Sequence, residues 1–330
     1  MKKIYHILLF LAVALFFFSA CNEEWKEEQY EHYVSFKAPL NDLGVTEIYV
    51  SYKADEVSNY KLPVVVSGST TNPQNLTVKV ALDPDTLEVL NYERFQSRVD
   101  LYYEQLSDTY FTMPGTVDIK AGEDVGLLNI DFNFKDIDLA DKWILPLTIV
   151  PDTENGTYTP HPRKHYKKAL LRVMPFNDYS GKYGAANLKT YIKGSENGAP
   201  IVKSNIQLYV VDDHTVFFYA GMVDENRMDR HNYKVYAELD EETNEVRLYS
   251  DNPEMQFQSY STPTFTVDEQ MDVTRPYLLK RTTIIEGIDF SFRDYSTSDV
   301  VDYDFTVRGQ IAMERRINTQ IPDEDQAIEW

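Results

Sequence analysis

Short runs in which apolar and polar residues alternate occupy much of the first half of the chain. The clearest lie at residues 47–53, 60–67 and 76–82, and Gly, Pro, Asn and Asp separate them. A two-residue period places alternate side chains on opposite faces of a strand. Similar runs lie at residues 33–36, 116–120, 126–134, 142–150 and 167–174. The total of about eight strands predicts an immunoglobulin-like β-sandwich.

One stretch of this first half has a different period. Its apolar residues recur at steps of three and four, which indicates one face of a helix. They are Tyr92, Phe95, Val99, Tyr102 and Leu106. The sandwich is therefore predicted to contain one helical insertion.

The second half returns to alternation with almost no helical period. A domain boundary is predicted at residues 175–178, dividing an immunoglobulin-like domain (30–175) from an all-β C-terminal domain (176–330). Residues 233–239 and 245–250 form a predicted hairpin around a polar turn. Sequential hairpins favour a meander, folded either as a lipocalin-like barrel or as a second sandwich. The overall fold class is all-β.

The first 21 residues have the layout of an export signal. Lys2 and Lys3 precede an apolar run at residues 7–18, and Ser19 and Ala20 precede Cys21. The run is too short for the roughly 20 residues of a membrane-spanning helix. The residues ending at Cys21 resemble the bacterial lipobox, which implies that the thiol of Cys21 is acylated after export.

An acidic tether, residues 22–29, follows Cys21. It is interpreted either as a solvated linker or as a sorting signal. The second interpretation rests on its resemblance to the tag that sends lipoproteins of Bacteroidetes bacteria to the outer face of the outer membrane.

Charge and cysteine content exclude some classes of function. The chain has 53 acidic and 32 basic residues and a formal charge of −21, which argues against nucleic acid as a partner. Its single cysteine cannot form an internal disulfide. Stability is therefore expected to come from core packing.

Candidate catalytic and metal-binding groups have simpler interpretations. Residues 212–214 (Asp-Asp-His) lie between two predicted strands and are interpreted as a hairpin turn. His161 and His165 are four residues apart, but Pro160 and Pro162 disrupt the helix that a zinc pair at this spacing needs. We predict no metal site, no cofactor and no catalytic residue.

Carbohydrate binding requires aromatic faces and a few planar polar groups. The C-terminal domain offers tyrosines near its start and a polar loop after Met222. The candidate ligand-binding residues are Tyr179, Tyr183, Tyr191, Arg227, Arg230 and Asn232.

Four segments give the chain a resemblance to a known family. They are residues 33–36 (YVSF), 143–147 (WILPL), 178–183 (DYSGKY) and the C-terminal run 318–330. They resemble Bacteroidetes surface lipoproteins of polysaccharide-utilisation loci, in which an immunoglobulin-like domain of unknown function precedes an all-β domain of unknown function. The resemblance implies a glycan-binding role beside a SusC/SusD-type importer.

Some relatives place the first domain ahead of a glycoside-hydrolase barrel, but the paired-carboxylate motif of that hydrolase (Asp-x-x-Asp-x-Asp-x-Glu) is absent from this sequence. We therefore predict a non-enzymatic lipoprotein on the outer membrane, facing the cell exterior, that captures glycan. The alternatives are an adhesin-like protein that binds another protein, and an unrecognised glycoside hydrolase.

Overall fold

The structure is a computed structural model that describes residues 28–298, 300–323 and 326–330. The predicted signal, the predicted acylation site Cys21 and most of the acidic tether lie outside the described residues. None of the helices in the described ranges is both long and apolar enough to cross a membrane.

The first domain is a β-sandwich, as the alternation predicts. Its strands are β1 (Tyr33–Phe36), β2 (Thr46–Ser51), β3 (Ser58–Val66), β4 (Leu76–Leu82), β5 (Glu104–Gln105), β6 (Phe111–Thr112), β7 (Thr116–Ile119), β8 (Val125–Phe132), β9 (Trp143–Ile149), β10 (Thr159–Pro160) and β11 (Lys168–Phe176). One sheet has the order β10-β1-β3-β8-β6, and the other has the order β2-β11-β9-β4-β7 with β5 beside β9. Alternate residues of both sheets, such as Val64, Leu128 and Leu171, are buried between them.

The helical insertion is present, but its predicted extent and face are wrong. The helix spans Pro84–Phe95, with Asp83 as its N-cap, and ends where Gln96 adopts a φ of 52°. A short 3-10 helix, Val99–Leu101, follows it. Tyr92 and Val99 are exposed. The residues that the helix buries are Thr86, Leu87, Asn91 and Phe95.

The second domain contains a closed barrel of eight antiparallel strands. The strands of the domain are β12 (Gly181–Gly184), β13 (Lys189–Ile192), β14 (Ile201–Val202), β15 (Asn205–Val210), β16 (Thr215–Tyr219), β17 (Lys234–Asp240), β18 (Glu245–Tyr249), β19 (Gln258–Ser259), β20 (Thr264–Met271), β21 (Leu278–Asp294), β22 (Tyr303–Asn318) and β23 (Ile328–Glu329). Neighbours around the barrel are β12-β15-β16-β17-β18-β20-β21-β22, and β22 pairs with β12 to close it. Because each strand pairs with the next barrel strand in sequence, the topology is the predicted meander.

The barrel is filled by its own side chains. Each of its eight strands contributes at least one buried apolar residue to a single cluster. In strand order these are Tyr183, Leu208, Phe218, Val235, Val246, Phe265, Ile285 and Ile311. An eight-stranded barrel has an interior just wide enough for side chains to fill, and here they fill it.

The outer face of the barrel carries a second aromatic set. Tyr209, Phe217 and Tyr219 point away from the interior, because they alternate with Leu208 and Phe218 on the same strands. They are buried nonetheless. This wall of the barrel faces the first domain.

Charged side chains join the two domains at this wall. Arg230, which is buried, donates hydrogen bonds from Nε to the carbonyl of Ala140 (2.8 Å) and from Nη1 to the carbonyl of Asp100 (2.7 Å). The Lys234 ammonium lies 2.9 Å from a carboxylate oxygen of Asp138. Such bonds fix the position of one domain against the other.

Candidate functional site

A groove runs along the junction of the two domains, and we call it the junction groove. Its volume is about 790 Å³. Residues of β2 and β11, with Trp330 packed against them, form one side, and residues of β15 and the loop after β16 form the other. Its lining includes Glu47, Tyr49, Arg172, Lys203, Asn205, Gln207, Tyr209, Glu225 and Trp330.

Arg172 forms the floor of the junction groove. Parallel pairing of β11 with β2 places Arg172 beside Glu47, with Nη1 3.4 Å from the Glu47 carboxylate. Its Nη2 lies 2.6 Å from a carboxylate oxygen of Glu225, which belongs to the second domain. The Tyr209 hydroxyl donates to the same oxygen at 3.3 Å. The floor is therefore a charged network contributed by both domains.

Glu225 and Arg172 of this network both stay ionised. Burial alone raises the pKa of Glu225, but the Arg172 guanidinium outweighs it and the pKa lies below its usual value. Burial likewise disfavours the charged form of Arg172, but Glu225 outweighs it and the pKa is raised. The Nε–H of Arg172 is buried and has no hydrogen-bond partner in the described part of the chain. A buried donor left in this way carries a penalty of about 1–3 kcal/mol.

An aromatic wall stands at one end of the groove. The ring of Trp330 stacks on Tyr49, with centroids 3.9 Å apart and an interplanar angle of 9°. Phe176 meets the indole edge-on at 4.8 Å. Trp330 is nevertheless 52% exposed, although a docked tryptophan usually buries most of its surface. Burial, then Glu47, raises the pKa of Tyr49 to about 12.

Polar side chains form the rim. Asn205 and Gln207 lie on β15, two residues apart, and so share the outer face of that strand. The ammonium of Lys203 donates to the carbonyl of Val223 at 2.6 Å, which holds the loop after β16 against the rim. Amides, carboxylates and a guanidinium beside an exposed indole supply the donors, acceptors and apolar face that a sugar requires.

A smaller groove of about 480 Å³ lies beside Phe217 on the outer face of the barrel, next to Asp136 and Lys234. Its aromatic faces are occupied. Tyr236 stacks on Tyr249 at 5.1 Å, and the guanidinium of Arg247 lies 5.0 Å from the centroid of Tyr249. Lys234 lies 5.8 Å from the centroid of Tyr236. Trp330 of the junction groove is also stacked, on Tyr49, but it is 52% exposed, whereas Tyr236 and Tyr249 are half-buried. We therefore place the candidate site in the junction groove.

No group of three or more His, Cys, Asp or Glu side chains positioned to hold a metal occurs among the described residues. The predicted turn at residues 212–214 is confirmed, since the Asp212 carboxylate accepts from the backbone N–H groups of His214 and Thr215. The pKa of Glu225 is lowered, whereas a general acid in a glycosidase needs a raised one.

The three tyrosines predicted to bind ligand lie outside the junction groove, although two of them contact each other. Tyr179 is buried and donates its hydroxyl to Glu241 at 2.5 Å. Tyr183 lies in the barrel interior and donates to the carbonyl of Tyr179 at 2.8 Å. Tyr191 is half-buried on β13. None of the three lines the junction groove.

The three predicted polar residues lie near one another but have intramolecular partners. Arg227 forms ion pairs with Asp229 (2.6 Å) and Asp294 (2.7 Å). Arg230 is in the domain junction, and the carbonyl of Asn232 accepts from Asn252. The ligand-binding role of these six residues stays a prediction. Sequence reasoning missed Glu47, Tyr49 and Arg172, which lie on two strands of the first domain.

Comparisons with known proteins agree with the two-domain fold. Residues 25–153 match the family model of DUF4973, a domain of unknown function. Residues 167–308 match a second family model, described as "-like, C-terminal". The comparison with curated proteins finds no match.

Solved structures from Bacteroides resemble the chain along nearly its whole length. A multidomain protein including DUF1735 from Bacteroides ovatus is 42% identical, with a TM-score of 0.79, and the match covers 90% of this chain and 100% of that one. An auxiliary nutrient binding protein from Bacteroides thetaiotaomicron is also 42% identical, with a TM-score of 0.80 and coverage of 91% and 100%. A protein of unknown function from Bacteroides ovatus is 36% identical, with a TM-score of 0.77 and coverage of 92% and 97%. The chain belongs to the same family as these Bacteroides proteins, and in this chain a DUF4973 domain precedes the second, C-terminal domain.

Proposed function

We propose that this protein is a lipid-anchored protein of the outer cell surface that captures oligosaccharide or polysaccharide in the junction groove. It holds the glycan without cleaving it and passes it to a SusC/SusD-type importer. The observation that carries the proposal is the exposed indole of Trp330 beside the Arg172–Glu225 network.

The groove has the mixed surface that sugar recognition needs. A sugar ring presents a weakly polar C–H face, which packs on an aromatic ring, and hydroxyls around its edge, which need paired donors and acceptors. Trp330 and Tyr49 supply the ring surface, and Asn205, Gln207 and Glu225 supply the hydrogen-bonding groups. Because the Glu225 carboxylate stays ionised, it accepts from hydroxyls.

Rigid positioning favours capture. Glu47, Arg172 and Gln207 all lie on strands rather than on loops, so little order is lost when a ligand binds. The family member from Bacteroides thetaiotaomicron is an auxiliary nutrient binding protein, which supports a nutrient as the ligand class. Display of many anchored copies on one membrane raises the effective concentration of binding sites.

The first test is a glycan-array screen of residues 22–330, followed by titration of the best ligand. We expect Trp330→Ala to weaken binding by about tenfold, the equivalent of the roughly 1.5 kcal/mol that a good aromatic contact contributes. Trp330→Phe keeps an aromatic face, and its glycan affinity is expected to lie between those of Trp330→Ala and the unmodified protein. Incubation of each ligand with the protein should release no products.

Tyr92→Ala is the matched control, since Tyr92 is an exposed aromatic residue of the first domain outside the groove. It is expected to bind like the unmodified protein. A silent array, or equal affinity of the Trp330→Ala and unmodified proteins, contradicts the proposed site. Product formation favours the hydrolase alternative, and silence with capture of another surface protein favours the adhesin-like one.

The proposed location has its own test. Metabolic labelling with a fatty acid should tag the unmodified protein but not Cys21→Ser, and protease added to intact cells should digest the labelled protein. Labelling of both proteins, or protection from protease, contradicts lipidation at Cys21 or exposure on the cell surface.

A further inference from the structure

One exposed segment is basic, although the protein as a whole is strongly acidic. Residues 161–168 contain four Lys or Arg and two His but no Asp or Glu, in a chain whose formal charge is −21. They form a loop and the short helix Lys164–Lys167, and run into β11. We call Arg163, Lys164 and Lys167, with the neighbouring Tyr166 and Leu40, the basic face.

The cations of the basic face form no ion pair within the part of the chain that the structure describes. Lys168 next to them binds Asp83 at 2.6 Å. In contrast, Arg163, Lys164 and Lys167 form no ion pair with any residue of the described ranges, and they are exposed or half-buried. Many other cations of the protein, such as Arg227 and Lys234, do have carboxylate partners. The three cations are therefore available to an external anion.

The basic face also exposes apolar surface. Tyr166 is 40% exposed and Leu40 is 44% exposed. Beside them a small groove of about 240 Å³, with a mostly apolar lining, runs between Leu40, Leu90 and Leu170. Lys164, His165 and Glu93 stand at its rim. Cations beside tyrosine and leucine are typical of surfaces that rest on lipid headgroups.

The segment lies next to the point where the chain leaves the tether. The backbone N–H of His161 donates to the carbonyl of Val34 at 2.9 Å, and the His161 ring meets Tyr33 at 5.3 Å. Glu28 is held by Ser69 and Thr70 nearby in the same domain. Glu28 is seven residues after Cys21, a separation that spans at most about 25 Å.

The barrel lies toward the other end of the same strand. β11 begins at Lys168, next to the basic face, and ends at Phe176, which packs against Trp330. An extended strand of this length spans about 26 Å. A surface that contacts the basic face is therefore about one strand length from the end of the junction groove.

We propose that the basic face is a membrane-docking surface, seated on the phosphate groups of anionic lipids in the membrane that holds the acylated Cys21. The inference rests on the lipid anchor of the proposed function. Anionic lipids attract these three cations and repel the acidic remainder of the protein, so the anchored protein stands on this end and holds its groove outward. The acidic tether acts in the opposite sense, and the experiment keeps it unchanged.

The test measures vesicle binding without the lipid anchor. The related structures fold over the nine-tenths of this chain that they share with it, so residues 22–330 are used. We expect the protein to co-sediment with vesicles of phosphatidylglycerol and phosphatidylcholine, and not with phosphatidylcholine alone. The triple variant Arg163→Gln, Lys164→Gln, Lys167→Gln should lose about tenfold or more in partitioning, because each cation near such a surface adds to binding. Binding should also fall steeply with added salt.

The control variant removes equal charge elsewhere. Lys61→Gln, Lys120→Gln and Lys189→Gln, all exposed and outside the basic face, should keep vesicle binding. Three results overturn the proposal. They are an equal loss of vesicle binding in both triple variants, no preference for anionic over neutral vesicles, and binding of inorganic phosphate by a protein that does not bind vesicles. Glycan titration of the same samples reports separately on the groove, and fatty-acid labelling of the full chain reports on the anchor.

Discussion

The barrel interior and the domain junction bury side chains of opposite character. The middle of the barrel is apolar, and Phe218, Ile285 and Ile311 from different strands belong to one buried cluster there. Arg315 is a buried cation near one end of the barrel. The junction instead buries Lys142, Arg172 and Arg230. An apolar interior specifies the fold and leaves no space for a ligand, whereas buried charge at the junction lowers stability but provides groups that a ligand can use.

The largest expected effect tests the claim that the interior is filled. Phe290 is completely buried in the second domain and contacts the rings of Phe257 and Phe218, with centroids 5.2 and 6.3 Å away. Phe290→Ala should reduce the free energy of unfolding by about 3–5 kcal/mol, through lost burial and a cavity. Urea unfolding measures this change. The glycan affinity of the folded fraction should stay the same.

Phe290→Leu is the control, since it removes less volume and should lose much less stability. If Phe290→Ala loses less than about 1 kcal/mol, the interior is loosely packed. That result favours a hollow carrier of an apolar molecule over a filled barrel.

A smaller effect is expected where the junction is held together. Arg230→Met removes the donors to the carbonyls of Ala140 and Asp100 and leaves both acceptors without a partner. We expect a loss of about 2–3 kcal/mol, measured by urea unfolding with separate probes on each domain. The transitions of the two domains should separate, because Arg230 couples them.

Arg230→Lys retains the charge but not the two donors of the guanidinium. Its free energy of unfolding should lie between those of Arg230→Met and the unmodified protein. Coincident transitions in Arg230→Met, at unchanged stability, would show that other contacts carry the coupling.

Local patterns predicted the fold well. The hairpin that pairs β17 with β18, and the meander around it, follow from alternation and turn residues, which act between neighbours in sequence. The face of the helix was wrong because the period was followed past Phe95, where Gln96 takes a left-handed φ of 52° and ends the helix. A spacing of three and four residues does not distinguish a helix from the turns that follow it.

The candidate site was beyond local reasoning. Glu47 and Arg172 are neighbours only because β2 and β11 pair in parallel across 125 residues of sequence. Glu225 and Trp330 come from the second domain and join them only through the packing of the domains. No sequence spacing records such contacts. The sequence contains Glu225 and Trp330, but no pattern in it links either residue to Arg172.

The smallest effect expected at the junction has the opposite sign. Lys142 is buried, with its ammonium 4.4 Å from the centroid of Phe95 and 5.1 Å from that of Tyr103. Burial, then repulsion by Arg230, lowers the pKa of Lys142 from 10.5 to about 8. Between these values the unfolded chain holds a proton that the folded chain has released, so the contribution of Lys142 to stability rises with pH across this window and is most unfavourable below it. Lys142→Met should therefore stabilise the protein by about 1–2 kcal/mol at neutral pH, after allowance for the lost cation–π contacts. This gain in stability should shrink as the pH rises from about 8 toward 10.5.

Lys234→Met is the matched control, because the bond to Asp138 outweighs burial and raises the pKa of Lys234. This substitution should therefore destabilise the protein. Unfolding free energies measured from neutral to alkaline pH decide the question: a loss of stability in Lys142→Met at neutral pH would mean that the two aromatic rings compensate the buried charge completely.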